Sequence, residues 1–249
     1  QAAVSNFEFV LSFSSMIFVV IVPILTMRVL AEERKQKTDQ LLYALPITTT
    51  EIVLGKYLAL LAVYLIPLCI IAVYPLIFAQ FGDVYLPTSY GAILAFFIMG
   101  AALIALGVFI SSLTDSQGFA AGIGIAVILL NYYSVSLSEY VSATSFGSIL
   151  ALCLLMLALS GVIRHLNENT ALAYGFGFLC LVGIAMVNFF NGTALEGLLP
   201  AVMTQLSLFS HFNSFVNGVF DLTALVYYGS VIVFFLFLSV QSLEKRRYN

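Results

Sequence analysis

MRVLAEERKQKTDQLLYALPITTTEIVLGK, residues 27–56, carries five of the nine lysines and arginines of the chain and is bracketed by long apolar runs. Leu30, Leu41, Leu42 and Leu45 fall at helical spacing among Glu32, Glu33, Arg34, Lys35, Lys37, Asp39 and Gln40. An apolar stripe beside a charged face is the pattern of a helix lying at a membrane interface. Pro46 cannot continue such a helix, because it has no N–H to donate and its ring crowds the preceding turn. Thr48 stands three residues ahead of Glu51, the spacing of a capping box, so a new helix is expected to start just after it.

The runs on either side set the fold class. Of 249 residues, 62% are hydrophobic and 8% charged, where an ordinary soluble domain carries about 25% charged residues. The excess apolar surface must therefore face hydrocarbon. A membrane helix needs about 20 mostly apolar residues, and such runs occur at 9–27, 52–79, 90–110, 119–137, 146–163, 171–190 and 222–240. The expected fold is an all-α polytopic bundle, one transmembrane domain over 1–249 with seven spans. Residues 28–50 form the amphipathic helix and turn between the first two. Residues 191–221 form a connection in which Pro200 interrupts an apolar half and SHFNSFVNG follows, read as a short interfacial or re-entrant helix and then an exposed turn.

Charge sets the orientation. The first connection, Arg164, and the terminal Lys245, Arg246 and Arg247 all fall on one side of a seven-span chain, whereas the connections holding Asp83, Glu139, Glu196 and Asp221 contain no lysine or arginine. The positive-inside rule makes the basic side cytoplasmic, C-terminus included. Residues 1–8 must then lie outside, which leads to the expectation of one further span ahead of Gln1. Tyrosine, present 13 times where tryptophan is absent, can serve as the interfacial aromatic.

The chemistry that is missing narrows function. Cys69, Cys153 and Cys180 sit singly in apolar runs, so neither a disulfide framework nor a metal site is indicated. A net charge of -3 gives no reason to expect nucleic acid. No G-x-x-x-x-G-K-S/T occurs, so ATP would have to be used by another chain. The span centres hold no acidic or basic residue of the kind that marks an ion relay. Asn131 and Asn188 read better as structural amides bonded to neighbouring helices than as cargo contacts. Gly118 and Gly122 form a G-x-x-x-G, and Gly100 and Gly107 lie among alanines; all four are expected at helix contacts, within the chain or at a subunit seam. Pro23, Pro67 and Pro75 are expected to kink their helices or merely to pack. The charged segment itself reads either as a solvated interfacial helix or as a docking element for a cytoplasmic partner.

Three stretches, LTMRVLAEERKQKTDQLLYALPITTTEIVLGKYLA (25–59), ALGVFISSLTDSQGFAAGI (105–123) and LFSHFNSFVNGVFDLTALVYYGSVIVFFLFLSVQSLEKRRYN (208–249), resemble the permease subunit of ABC-2 type transporters, in particular the branch associated with gliding motility. The resemblance implies a bacterial cytoplasmic (inner) membrane protein without its own ATPase site. Its partners would be a pair of ATP-binding subunits holding ATP and Mg, and a second identical or paralogous permease. It implies that Glu32, Glu33, Arg34, Thr38, Leu41, Leu42 and Pro46 form a coupling helix. Ser111, Ser112 and Thr114 would form a cytoplasmic turn, His211, Phe212, Phe215 and Gly218 an external segment that could gate the route, and Glu244, Arg246 and Arg247 a cytoplasmic tail. Relatives usually carry Gly where this chain has Lys37, and often a basic residue where it has Asp115. Residues 146–190 look like an additional helix pair relative to the compact form. The function implied is the membrane half of an ATP-driven exporter. Set against it are a force-transmitting scaffold acting on an envelope protein and a secondary transporter or channel.

Overall fold

The computed structural model describes residues 7–38, 47–81, 84–140 and 196–248, with scattered positions between 147 and 186; at 246–248 only the backbone is described. Among the described residues the regular structure is all helical. The helices are α1 (Phe7–Ser15), α2 (Phe18–Thr26), α3 (Ala31–Lys35), α4 (Thr49–Ile71), α5 (Tyr74–Phe78), α6 (Leu86–Leu113), α7 (Gln117–Tyr140), α8 (Leu198–Gln205), α9 (Leu208–Val216) and α10 (Leu222–Tyr248).

Four helical stretches are long and apolar enough to cross a membrane: Thr49–Phe78, Leu86–Leu113, Gln117–Tyr140 and Leu222–Lys245. The bent pair Phe7–Ser15 and Phe18–Lys35 makes a fifth if it counts as one broken span. They correspond to the expected first, second, third, fourth and last spans. The runs at 146–163 and 171–190, and with them most of the expected additional pair, lie largely outside the described residues.

The chain divides into two compact units, Gln1–Tyr132 with Leu208–Asn249, and Tyr133–Ser207. In the second, α8 follows Gly197, whose φ of +69° is a left-handed conformation natural to glycine. A Cβ on Gly177 would stand 3.3 Å from that of Ser160, so the backbone passes close to that serine.

The first unit is organised around α6. Of the apolar window of α6, 83% is buried inside the protein, against 17% for the windows of α4–α5 and α10. A helix apolar on every side is at home only when surrounded, and α6 packs on α10, α9, α2, α4 and α1. Small residues permit this closeness, which in lipid is the main source of helix association. A Cβ on Gly100 would collide with the ring of Tyr64 at 2.6 Å, and one on Gly107 would stand 2.9 Å from the Cβ of Thr26. Phe18 joins the ring of Phe96 at 4.7 Å and that of Tyr64 at 5.6 Å, and Phe96 continues to Phe212 at 5.8 Å. The outward faces of α1, α2, α4 and α10 expose apolar side chains such as Phe13, Ile66 and Val226, as lipid-facing surfaces do.

Some readings are narrowed and one needs correction. Of the two readings of Pro23, packing fits: α2 runs through it, and the 53° bend lies upstream at Met16 and Ile17. There the N–H groups of Met16 and Ile17 bond three residues back, to Phe13 and Ser14, while the Ser15 hydroxyl bonds the Ser12 carbonyl at 2.6 Å. Serine hydroxyls competing for helix carbonyls are a recognised cause of such breaks. A Cβ on Gly118 or on Gly122 meets nothing within 4 Å among the described residues. Finally, the string after Leu208 is not an exposed turn but helix α9, whose Leu208, Phe209, Phe212 and Phe215 are buried.

Candidate functional site

The first part of the charged segment, residues 27–38, folds as a tight knot on the end of α6. Helix α2 ends at Thr26, and α3 begins at Ala31 with no side chain of its own to cap it. The cap is borrowed: the N–H groups of Leu30 and Ala31 both donate to Ser111 Oγ at 3.2 Å, and that hydroxyl donates to the carbonyl of Met27 at 3.3 Å. One hydroxyl thus uses its donor and both lone pairs. Ser111 and Ser112 are fully buried and belong to the last turn of α6, which runs to Leu113, rather than to a turn after it.

Arg34 is turned inward. It is 8% exposed and donates through Nη1 to the carbonyl of Ser112, which also accepts from Ser242 Oγ of α10 at 3.0 Å. A carbonyl in the last turn of a helix has no partner inside that helix, and a cation there also meets the negative end of the helix dipole. Asp115 adds an ion pair to Arg34 Nη1 at 3.8 Å. Asp115, where the resemblance leads one to expect a basic residue, thus places an anion beside Arg34.

Lys56 closes the knot from α4, pairing with Glu33 and donating to the carbonyl of Val29 at 2.7 Å. On the same end, Thr49 Oγ1 donates to Glu244 at 2.9 Å, joining α4 to α10. The capping box forms as its spacing predicts, with Glu51 N donating to Thr48 Oγ1 at 3.2 Å and Thr48 N to Glu51 at 2.8 Å.

Helix α3 ends in a Schellman motif. The N–H of Lys37 bonds the Arg34 carbonyl at 3.0 Å and that of Thr38 bonds the Glu33 carbonyl at 2.9 Å, with Lys37 at φ 58°. The turn that Gly would make without strain is thus made by lysine. Glu32 bonds Gln36 at 3.2 Å, and Lys35, Gln36, Lys37 and Thr38 are exposed. Thr114 is half-buried. Leu41, Leu42 and Pro46 lie outside the described residues, as do the side chains of Arg246 and Arg247.

At the opposite end of α6, α9 is pinned by its first residue. Leu208 N donates to Asn131 Oδ1 at 3.0 Å, and Tyr228 Oη donates to the Leu208 carbonyl at 2.7 Å. Asn131 is therefore a structural amide; Asn188 lies outside the described residues. Phe212 and Phe215 are core residues, and His211 stacks on Tyr227 with centroids 4.4 Å apart. Helix α9 ends in a second Schellman motif with Gly218 at φ 79°. Beside it, Tyr85, Thr88, Gly91, Phe215 and Phe220 line an open cavity of about 280 Å³.

The sequence pattern brings the acidic pair, Arg34 and the serines to one end of the bundle, but it could not show that Arg34, Ser111 and Ser112 bond to each other's helices. It also missed Ser242 and Asp115 as knot residues. Nothing in their local pattern signals a contact with residues more than 70 positions away. Among the described residues no group of three or more His, Cys, Asp or Glu could hold a metal.

A family model described as ABC-2 family transporter protein matches residues 1–138, which include α1 to α6 and most of α7. Comparison with curated proteins and with solved structures gives no match.

Proposed function

Because the chain belongs to the ABC-2 transporter family, we propose that it is the permease subunit of an ATP-driven exporter, oriented with the α3 knot in the cytoplasm of a bacterial inner membrane. Two such subunits, identical or paralogous, flank the route and dock on two ATP-binding subunits that hold the ATP and Mg. The gliding-motility branch remains our assignment from the three stretches quoted above, and export is the direction that assignment favours.

The observation that carries this reading is the family match running through the charged segment between the first two spans. Within that segment, half-buried Glu32 with exposed Lys35, Gln36 and Thr38 offers the mixed charge that a soluble partner can grip, and the coupling role of Leu41, Leu42 and Pro46 is what the resemblance implies. A partner that closes on ATP and binds one arrangement of the permease better than the other shifts the bundle by that difference in affinity. His211, Phe212, Phe215 and Gly218 occupy the far end, where an external gate would sit.

The test is co-purification with the ATP-binding subunit expressed beside it. Reversing the charges of this face, Glu32→Lys with Lys35→Glu, should abolish association while leaving membrane insertion intact. Unchanged association and unchanged ATP turnover would refute docking through α3.

A further inference from the structure

We infer that Arg34 is a positioning residue that staples the docking segment to the end of α6, so that the segment and this central helix move as one body. The assignment to α6 as the moving element rests on the docking role just proposed; the staple itself does not.

Residues 27–35 touch α6 through bonds of fixed direction. Ser111 takes the N–H groups of Leu30 and Ala31 and returns its proton to Met27, and the Arg34 guanidinium reaches the Ser112 carbonyl. Every donor of the segment in this set goes to one turn of α6. Since the guanidinium is buried, its removal cannot be replaced by solvent without opening the contact. Lys56 holds the other side through Glu33 and Val29. A flexible lever would need loose joints at Met27 to Leu30, yet this is where the bonds to α6 concentrate. Arg34 therefore faces inward, with Lys56 half-buried beside it, and a partner meets chiefly the outer face of α3. Because α6 is the helix buried against α1, α2, α4, α9 and α10, a push on α3 enters the bundle at its centre rather than at its rim.

The experiment uses the full chain in lipid nanodiscs with Cys69, Cys153 and Cys180 replaced by serine. Spin labels are attached at Gln36→Cys, on the segment, and Tyr85→Cys, at the far end of α6. A 28-residue helix spans roughly 42 Å, a separation that pulsed dipolar spectroscopy measures well. The expected result is one narrow distance that stays the same without nucleotide and with ATP plus vanadate in the complex with the ATP-binding subunit. Arg34→Gln should broaden that distribution and Arg34→Lys should restore it in part, because lysine keeps the charge but not the planar fork. Ser111→Ala, which removes no charge, should broaden it as well. A distance that shifts on ATP trapping in the unaltered chain would overturn the single-body claim. A distribution left narrow by both Arg34→Gln and Ser111→Ala would overturn the staple. If no ATP-binding subunit associates, the docking role falls and the role of α6 with it, while the nucleotide-free comparison still decides the staple.

Discussion

Two short helices, α3 and α9, sit at opposite ends of α6, and they are attached by largely different means. Beyond its two hydrogen bonds at Leu208, helix α9 presses Phe209, Phe212 and Phe215 into the core, so along its length its hold is a matter of volume and shape. Helix α3 is held by hydrogen bonds from Ser111 and Arg34 and by the Glu33–Lys56 pair, so its hold is a matter of direction. Both end in the same Schellman turn, one with glycine and one with lysine at the left-handed position. Shape tolerates gradual change and direction does not, which suits a filler at one end and a transmission contact at the other.

The largest effect should come from hollowing out the α9 contact. Phe212→Ala is expected to cost about 3 kcal/mol, read as loss of thermal stability in detergent, whereas Phe212→Leu, which keeps most of the volume, should cost well under half as much. If the two substitutions were equally harmful, volume would not be what holds α9. At the other end, Arg34→Ala is expected to cost about 2 kcal/mol, the scale of a charged hydrogen bond lost from a buried site. Arg34→Lys should recover only part of that, because directional geometry is lost while charge is kept. Full recovery by lysine would erase the contrast between the ends.

The two turns give the smallest effects, and these should have opposite signs. Gly218→Ala puts a Cβ at a φ of 79° and 3.1 Å from the Thr88 methyl, and should destabilise by about 1 kcal/mol. Lys37→Gly relieves the same left-handed conformation and should raise the melting temperature slightly, the gain being trimmed by the greater freedom of glycine in the unfolded chain. Equal signs would show that the turns are not equivalent.

Much of the architecture was legible in the residues. The apolar runs at 52–79, 90–110, 119–137 and 222–240 coincide with helices long and apolar enough to cross a membrane, because twenty apolar residues in sequence have few other stable fates. The box of Thr48 and Glu51 forms between the residues that its spacing names. Lys37 stands where the resemblance leads one to expect Gly, and it takes the left-handed conformation natural to Gly. What was not legible depends on distant partners. The polar letters of SHFNS hid an aromatic stripe whose burial comes from α6 and α1. Gly118 and Gly122 have the spacing of a packing motif, but a Cβ on either meets nothing within 4 Å among the described residues. The inward turn of Arg34 is set by the Ser112 carbonyl of α6 and by Asp115, which no local pattern around residue 34 encodes.

The central claim is that the end carrying α3 lies in the cytoplasm, where an ATP-driven partner can hold it. In an otherwise cysteine-free chain, Gln36→Cys and Phe81→Cys place single thiols on exposed residues at the two ends, Phe81 being 84% exposed. With a membrane-impermeant maleimide on intact cells, position 81 should be labelled at once, and position 36 only after the membrane is opened. Labelling of position 36 from outside would contradict the account.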